Sequence, residues 1–249
     1  MVVIAGTDYE ARVVDRVVAG FAFGTKRLKF TPPRGPAFLP MPADQSTPRW
    51  AYRSYDCVPA SDGGIDDRDI LVIDGLNAKL TAEPFLAIKS VAGDVSTALA
   101  NIPTNARFWE LDASDVDGAP PEDSIGWWMH RAWWLLMGLP RVNIAITHKL
   151  LHHKRPTVFA LFDRVTRRAY DKDQLWRGVY TDLRQSAKEW EGIEQRFAAL
   201  AETNGGVALS RLRMHDIVLW CRRIDDWQLA CAEAAGAKIL DRQGAVGEC

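Results

Sequence analysis

Residues 138–170 read GLPRVNIAITHKLLHHKRPTVFALFDRVTRRAY, and the order of signals within them decides the fold. Gly138 suits a helix C-cap and Pro140 a first helical turn, so one helix ends and another starts at Gly138-Leu139-Pro140. The new helix, about 141–154, puts Val142, Ile146 and Leu150 on a buried stripe. Arg141, His148, His152 and Arg155 then share an exposed side, flanked by Lys149, His153 and Lys154. Pro156 biases Arg155 out of helical geometry and opens a second helix. Its buried stripe is Val158, Phe162, Val165 and Ala169, which leaves Asp163, Arg164, Arg167 and Arg168 off it.

Working outward, the charge balance gives this stretch its interest. Between residues 148 and 173 seven Lys/Arg stand against three Asp, a local formal charge of +4 in a chain whose total is -1. No global field draws such a chain onto nucleic acid or an anionic membrane, so phosphate affinity has to come from this patch. His148, His152 and His153 have no helical His-x-x-x-Glu partner set, and Cys57, Cys221, Cys231 and Cys249 form no close C-x2-C pair, so neither a metal nor a cofactor is expected. Scattered cysteines, early acids in MVVIAGTDYEARVVDR and the lack of any apolar run near the ~20 residues of a membrane span point to a cytoplasmic protein without a signal peptide.

The rest of the chain reads as mainly all-α. Val13, Val14, Val17, Val18 and Phe21 predict a helix over 7–23 behind a Thr7 or Asp8 cap. Pro32, Pro33, Pro36, Pro40, Pro42 and Pro48 make Gly24 to Gly64 irregular, with a short hairpin around Trp50 to Val58. Residues 1–64 are therefore set apart from a helical domain over 65–249. Asp66, Asp67 and Asp69 read as caps of a helix starting at Ile70. Helices follow over 82–90 and 93–101. Residues 124–137, SIGWWMHRAWWLLM, are apolar almost all round and predict a central, buried helix. Its tryptophans could stack on bases for ~1–3 kcal/mol each, but four of them among Ile, Leu and Met read first as packing. The last third gives helices over 173–186, 187–203, 208–223 and 226–239, with a stop at Asn204-Gly205-Gly206.

Leu139, Pro140 and Val142, a helix and then Asp163 resemble the helix-hairpin-helix DNA glycosylases, whose hairpin reads L-P-G-V-G and whose catalytic acid follows in a pattern like D-x-x-V-x-R. Arg141 and Asn143 stand where that family has glycines, and Ala145 where its bifunctional members have a lysine nucleophile. The chain is similar, more closely, to an uncharacterised bacterial family distantly built on the same plan. Tyr52, Tyr55, Asp56, Asp69, Lys149, Leu150, Leu151, Lys154, Arg155, Pro156 and Asp163 appear in that family's order over roughly residues 50–223.

The resemblance implies a glycosylase-like helical core and a monofunctional hydrolase of N-glycosidic bonds, acting on a flipped base or nucleoside through Asp163. It implies phosphate contacts from Arg141, His148, Lys149, His152, Arg155, Arg167 and Arg168, and a pocket near Tyr52, Tyr55, Asp56 and Trp128; Lys154 reads as surface charge. Two alternatives stay open: a catalytically silent protein that binds nucleic acid or a partner, with Asp163 in an i,i+4 ion pair to Arg167, and a small-molecule enzyme reusing the fold.

Overall fold

The computed structural model describes residues 1–24, 51–171, 174–224 and 226–244. It starts with an antiparallel hairpin, β1 (Val2–Ile4) against β2 (Thr7–Tyr9), turned by Ala5 and Gly6 at φ 49° and 73°. A helix was expected from residue 7, but α1 begins later and covers Ala11–Phe23. Strand pairing prevails because it buries Val2, Ile4 and Tyr9 and gives the Val3 and Ala5 N–H groups to Ser186 Oγ and Asp182 Oδ2, at 2.9 and 2.7 Å. The valines expected on the inner face of α1 do lie there, with Val14, Val17 and Val18 fully buried.

The Pro-rich segment expected to be irregular lies largely outside the described residues. Where it re-enters, the hairpin predicted around Trp50 to Val58 is replaced by a π-helical turn, Tyr52–Asp56, closed by the Cys57 N–H on the Tyr52 carbonyl at 2.9 Å. That turn points both Tyr52 and Tyr55 into the core. Helix α2 (Asp67–Val72) follows, capped by Asp66 and Asp69 in a reciprocal capping box, then a 3-10 turn over Ile73–Leu76. Residues 82–90 and 93–101, expected as two helices, form one, α3 (Ala82–Ala100). A Cβ built on Gly93 would meet no atom within 4 Å outside its own helix, so the glycine sits there at only its intrinsic helix cost.

Helix α4 (Ile125–Met137), capped by Ser124, is not the buried centre that its sequence predicted. It turns Met129, Ala132 and Leu136 inward, whereas Trp134 is 64% exposed and Trp127, Trp128 and Trp133 are half-buried. Indole carries a polar N–H as well as a large apolar face, so tryptophan is well suited to a boundary. The buried helix is the next one, α5 (Ile144–Lys154), in which every residue from Ile146 to His153 is inside. It starts three residues later than expected because Pro140 occupies a β-turn, Leu139 to Val142, with Arg141 at φ 61°. Asn143 then caps α5, its side chain accepting the Ala145 and Ile146 N–H groups at 2.9 and 3.1 Å.

No helix follows Pro156 as far as Val165. Val158 through Phe162 run non-helical and wholly buried against α5, and a 3-10 turn forms only at Thr166–Ala169. Helices α6 (Leu175–Gln185), α7 (Ala187–Thr203), α8 (Arg211–Ile224) and α9 (Asp226–Gly244) complete the chain near their expected limits. Gly205, at φ 62°, ends α7 as expected. α1 packs against α7, α8 and α9. Its crossing with α9 is close enough that a Cβ on Gly20 would stand 1.9 Å from the Ala232 carbonyl oxygen, and one on Gly236 1.7 Å from that of Arg16.

Candidate functional site

The polar residues of α5 are not a solvated face. The His148 Nδ1–H donates to the Ala160 carbonyl at 2.8 Å, and its Nε2 accepts the Trp133 indole N–H at 3.0 Å. A carbonyl can only accept and an indole only donate, so these partners fix the tautomer. The His152 Nδ1–H donates to the Phe159 carbonyl at 2.6 Å, and its ring lies stacked by Tyr55. Burial pushes His148 down to about 4 and His152 down to about 3, against carbonyl hydrogen bonds that act the other way. Both are neutral at ordinary pH and serve the buried segment 158–162, whose carbonyls would otherwise lack partners.

The basic residues expected to meet phosphate are likewise redistributed. Lys149 is buried and donates from Nζ to the Leu76 carbonyl at 2.6 Å, while its own carbonyl accepts the Tyr55 hydroxyl at 2.6 Å. Burial lowers its pKa, and the nearby charges of Asp163 and Asp216 oppose that. Lys154, taken from the sequence as surface charge, places Nζ among four oxygens: Ser61 O, Ser61 Oγ, Gly64 O and Asp69 Oδ2, all within 2.8–2.9 Å. Asp69 also accepts from Ser61 and His153. Its burial would raise the carboxyl, but the bonds from Ser61 and Lys154 outweigh that and hold it well below its ordinary value. Arg155 closes the end of α3 through Leu99 O and Ile102 O, at 2.8 and 3.2 Å. Arg141, Arg167 and Arg168 stay exposed, Arg141 beside Glu83 at 3.5 Å.

Asp163 is half-buried and caps the 3-10 turn. Its Oδ1 accepts the Val165 and Thr166 N–H groups at 2.6 and 2.8 Å, and its own N–H donates to Thr166 Oγ1 at 3.0 Å. The ion pair with Arg167 is not formed: the Arg167 N–H bonds the Asp163 carbonyl at 3.2 Å, but the Asp163 side chain is turned back onto the Val165 and Thr166 N–H groups while Arg167 stays exposed. Among the described residues no hydrogen bond reaches Oδ2.

Behind Asp163 lies a buried charge cluster. Arg213 donates from Nε and Nη2 to both oxygens of Asp56, at 2.7 and 3.0 Å, and from Nη1 to Asp216 Oδ2 at 2.6 Å. Its guanidinium sits over the rings of Phe21 and Tyr55. Burial pushes Asp216 up to about 7, partly opposed by Arg213 and reinforced by Asp163. Asp56, raised by burial, is held partly back by Arg213. Of the expected pocket residues, Tyr52 hydrogen-bonds the Val207 backbone on both sides, Tyr55 and Asp56 are engaged as described, and Trp128 lies half-buried edge-on to Trp127. A cleft of about 50 Å³ exists elsewhere, between α1, α7 and α9, lined by Asp15, Val18, Ile193, Arg196, Phe197, Leu200 and Leu240.

Residues 41–223 match a family of unknown function, DUF6308. The chain belongs to this family. No curated protein and no solved structure matches it significantly, and nothing in these comparisons links it to the helix-hairpin-helix glycosylases. The DUF6308 match includes Asp56, Lys149, Asp163, Arg213 and Asp216, and leaves β1, β2, α1 and α9 outside. Among the described residues no His, Cys, Asp or Glu group is arranged to hold a metal, and no helix is long and apolar enough to cross a membrane.

Within the DUF6308 segment, Arg213 and Asp216 went unnoticed in the sequence, as did a second knot in which Asp182 Oδ2 accepts the Tyr170 hydroxyl and lies 3.2 Å from His215 Nε2. A signal for the first was present. In RLRMHDIV, charges alternate with apolar residues around the whole helix, so some of them had to be buried and paired.

Proposed function

We propose that this DUF6308 member hydrolyses N-glycosidic bonds of a nucleoside-like molecule or of a base lying outside a duplex, with Asp163 as the working carboxylate. The posture of Asp163 carries the reading. One oxygen is fixed by two backbone N–H groups, while the other has no hydrogen-bond partner among the described residues, at a half-exposed position with Lys149 and Asp216 within electrostatic range. Perturbed ionisable groups gathered beside a partly open carboxylate are a common mark of chemistry. In the reaction a water oxygen bonds to the anomeric carbon, the carbon–nitrogen bond breaks and the water's proton passes to the departing base. Asp163 would orient that water or stabilise the positive charge that develops on the sugar.

A small or single-stranded substrate is favoured over duplex DNA. His148, Lys149 and His152 are inside the protein, Arg155 is committed to α3, and the first free N–H groups of α5 are taken by Asn143. The alternative, a silent binding protein, is favoured by one fact: nearly every other polar group of the cluster already has a protein partner. Base release from a panel of nucleosides and of single- and double-stranded oligonucleotides, followed by chromatography, separates the two. Release by the wild type that is lost in Asp163→Asn supports hydrolysis; release that survives the substitution removes Asp163 from it; binding without release supports the silent protein.

A further inference from the structure

The buried charges behind Asp163 do not share their hydrogen bonds evenly. Arg213 is one cation between two carboxylates; Asp56 takes two of its donors and Asp216 one. Asp216 is 9% exposed, and among the described residues that single bond is the only one made to its carboxyl. A buried carboxylate that shares its cation with a better-held rival is the member that takes up a proton most readily.

The groups around Asp216 come from several elements. Asp56 and Tyr55 stand on the π-helical turn, Lys149 on α5, Asp163 ahead of the 3-10 turn Thr166–Ala169, and Arg213 and Cys221 on its own helix. From α1, Phe21 covers the guanidinium, and Glu233 of α9 is turned to Arg16. β1 carries only Val2, Val3 and Ile4. With Asp216 neutral, Asp56 and Asp163 balance Lys149 and Arg213. Ionising Asp216 leaves one uncompensated negative charge beside Asp163.

We propose that Asp216 carries the exchangeable proton of this cluster and, as a positioning residue, sets whether Asp163 faces a neutral or a negatively charged interior. The proposal rests on Asp163 being the working carboxylate, although the proton can be observed with no substrate present. The upward push on Asp216 to about 7 places the change near neutrality. A site that stabilises positive charge gains from the added negative one, so turnover rises through that pH.

The test is carboxyl ¹³C NMR of the full chain labelled at aspartate. The expected result is one resonance titrating near neutral pH that is missing in Asp216→Asn and whose midpoint falls by on the order of one pH unit in Asp163→Asn, where a like charge has gone. If no aspartate titrates between about pH 5 and about pH 9, far above the ordinary carboxyl range, or if Asp163→Asn leaves the midpoint unmoved, the proposal is overturned. The Asp163→Asn comparison decides the matter even if Asp216→Asn fails to fold. A titration in a protein that releases no base supports the proton while refuting the proposed hydrolysis. Base release with a flat pH profile through neutrality and no titration does the reverse.

Discussion

Arg213 grips Asp56 through two hydrogen bonds, 2.7 and 3.0 Å long, across 157 residues of chain. The pair joins the π-helical turn to α8, and both side chains are almost wholly buried. Removing one partner strands a charge in the interior, so Asp56→Ala or Arg213→Met is expected to cost about 3–5 kcal/mol in urea unfolding. Asp56→Ala combined with Arg213→Met should cost less than the two single losses added together. A double variant as unstable as the sum of the singles would show that the two residues act separately.

Arg141 holds φ at 61°, where a side chain other than glycine is strained, and its contact with Glu83 is exposed. Arg141→Gly is therefore expected to raise stability by roughly 0.5–1 kcal/mol, the relief of left-handed strain less the extra freedom glycine has when unfolded. Thermal unfolding checks it; a lower Tm would mean that the Glu83 contact outweighs the strain. Asn143→Ala, which uncaps α5, should lose about 1 kcal/mol.

Acid should loosen the protein through α5. His148 and His152 have folded values of about 4 and about 3 against an ordinary 6.5. The stability that goes with their neutrality is present above 6.5 and is lost as pH falls through the folded values. Asp216 works in the opposite sense: its folded value of about 7 lies above the ordinary 3.8, so its contribution is complete below 3.8 and is lost as pH rises through 7. Urea midpoints measured across this range should fall on the acid side, and the fall should be shallower in His152→Gln. An unchanged slope would take His152 out of the acid response.

Lys154 fills a small oxygen cage with an ammonium group. Lys154→Ala should destabilise markedly, because Asp69 keeps its charge and loses its cation. Ammonium chloride should restore part of that stability where tetramethylammonium chloride, too large for the cage, does not. Equal effects of the two salts would mean that the loss is not that of a cation in the cage.

The amphipathic helices of the last third could be read closely from the sequence, since an apolar stripe and the Asn204-Gly205-Gly206 stop are local signals. The acids at 66 and 69 were equally legible as caps. The relation between α4 and α5 was not. Residue type suggests that a tryptophan-rich helix is inside and a helix rich in His and Lys outside, yet His148 and His152 are buried because carbonyls of Ala160 and Phe159 await them. Those partners belong to a segment whose own conformation was ambiguous: Val158 through Phe162 is a continuous apolar run, and such a run fits a helix face or a buried extended stretch equally well. The site followed the same pattern. Asp163 could be singled out in sequence, but Arg213 and Asp216 reach it only through tertiary folding.

The clasp between α1 and α9 has a consequence for how the chain is made. α1 is synthesised well before its partners: the helices that pack against it are α7, α8 and α9, all synthesised after residue 186. At about 5–20 residues per second, its apolar face waits on the order of ten seconds or more for its partners. During this interval the apolar face of α1 lacks the helices that bury it in the folded protein, and the close approach at Gly20 and Gly236 can form only once α9 has been made.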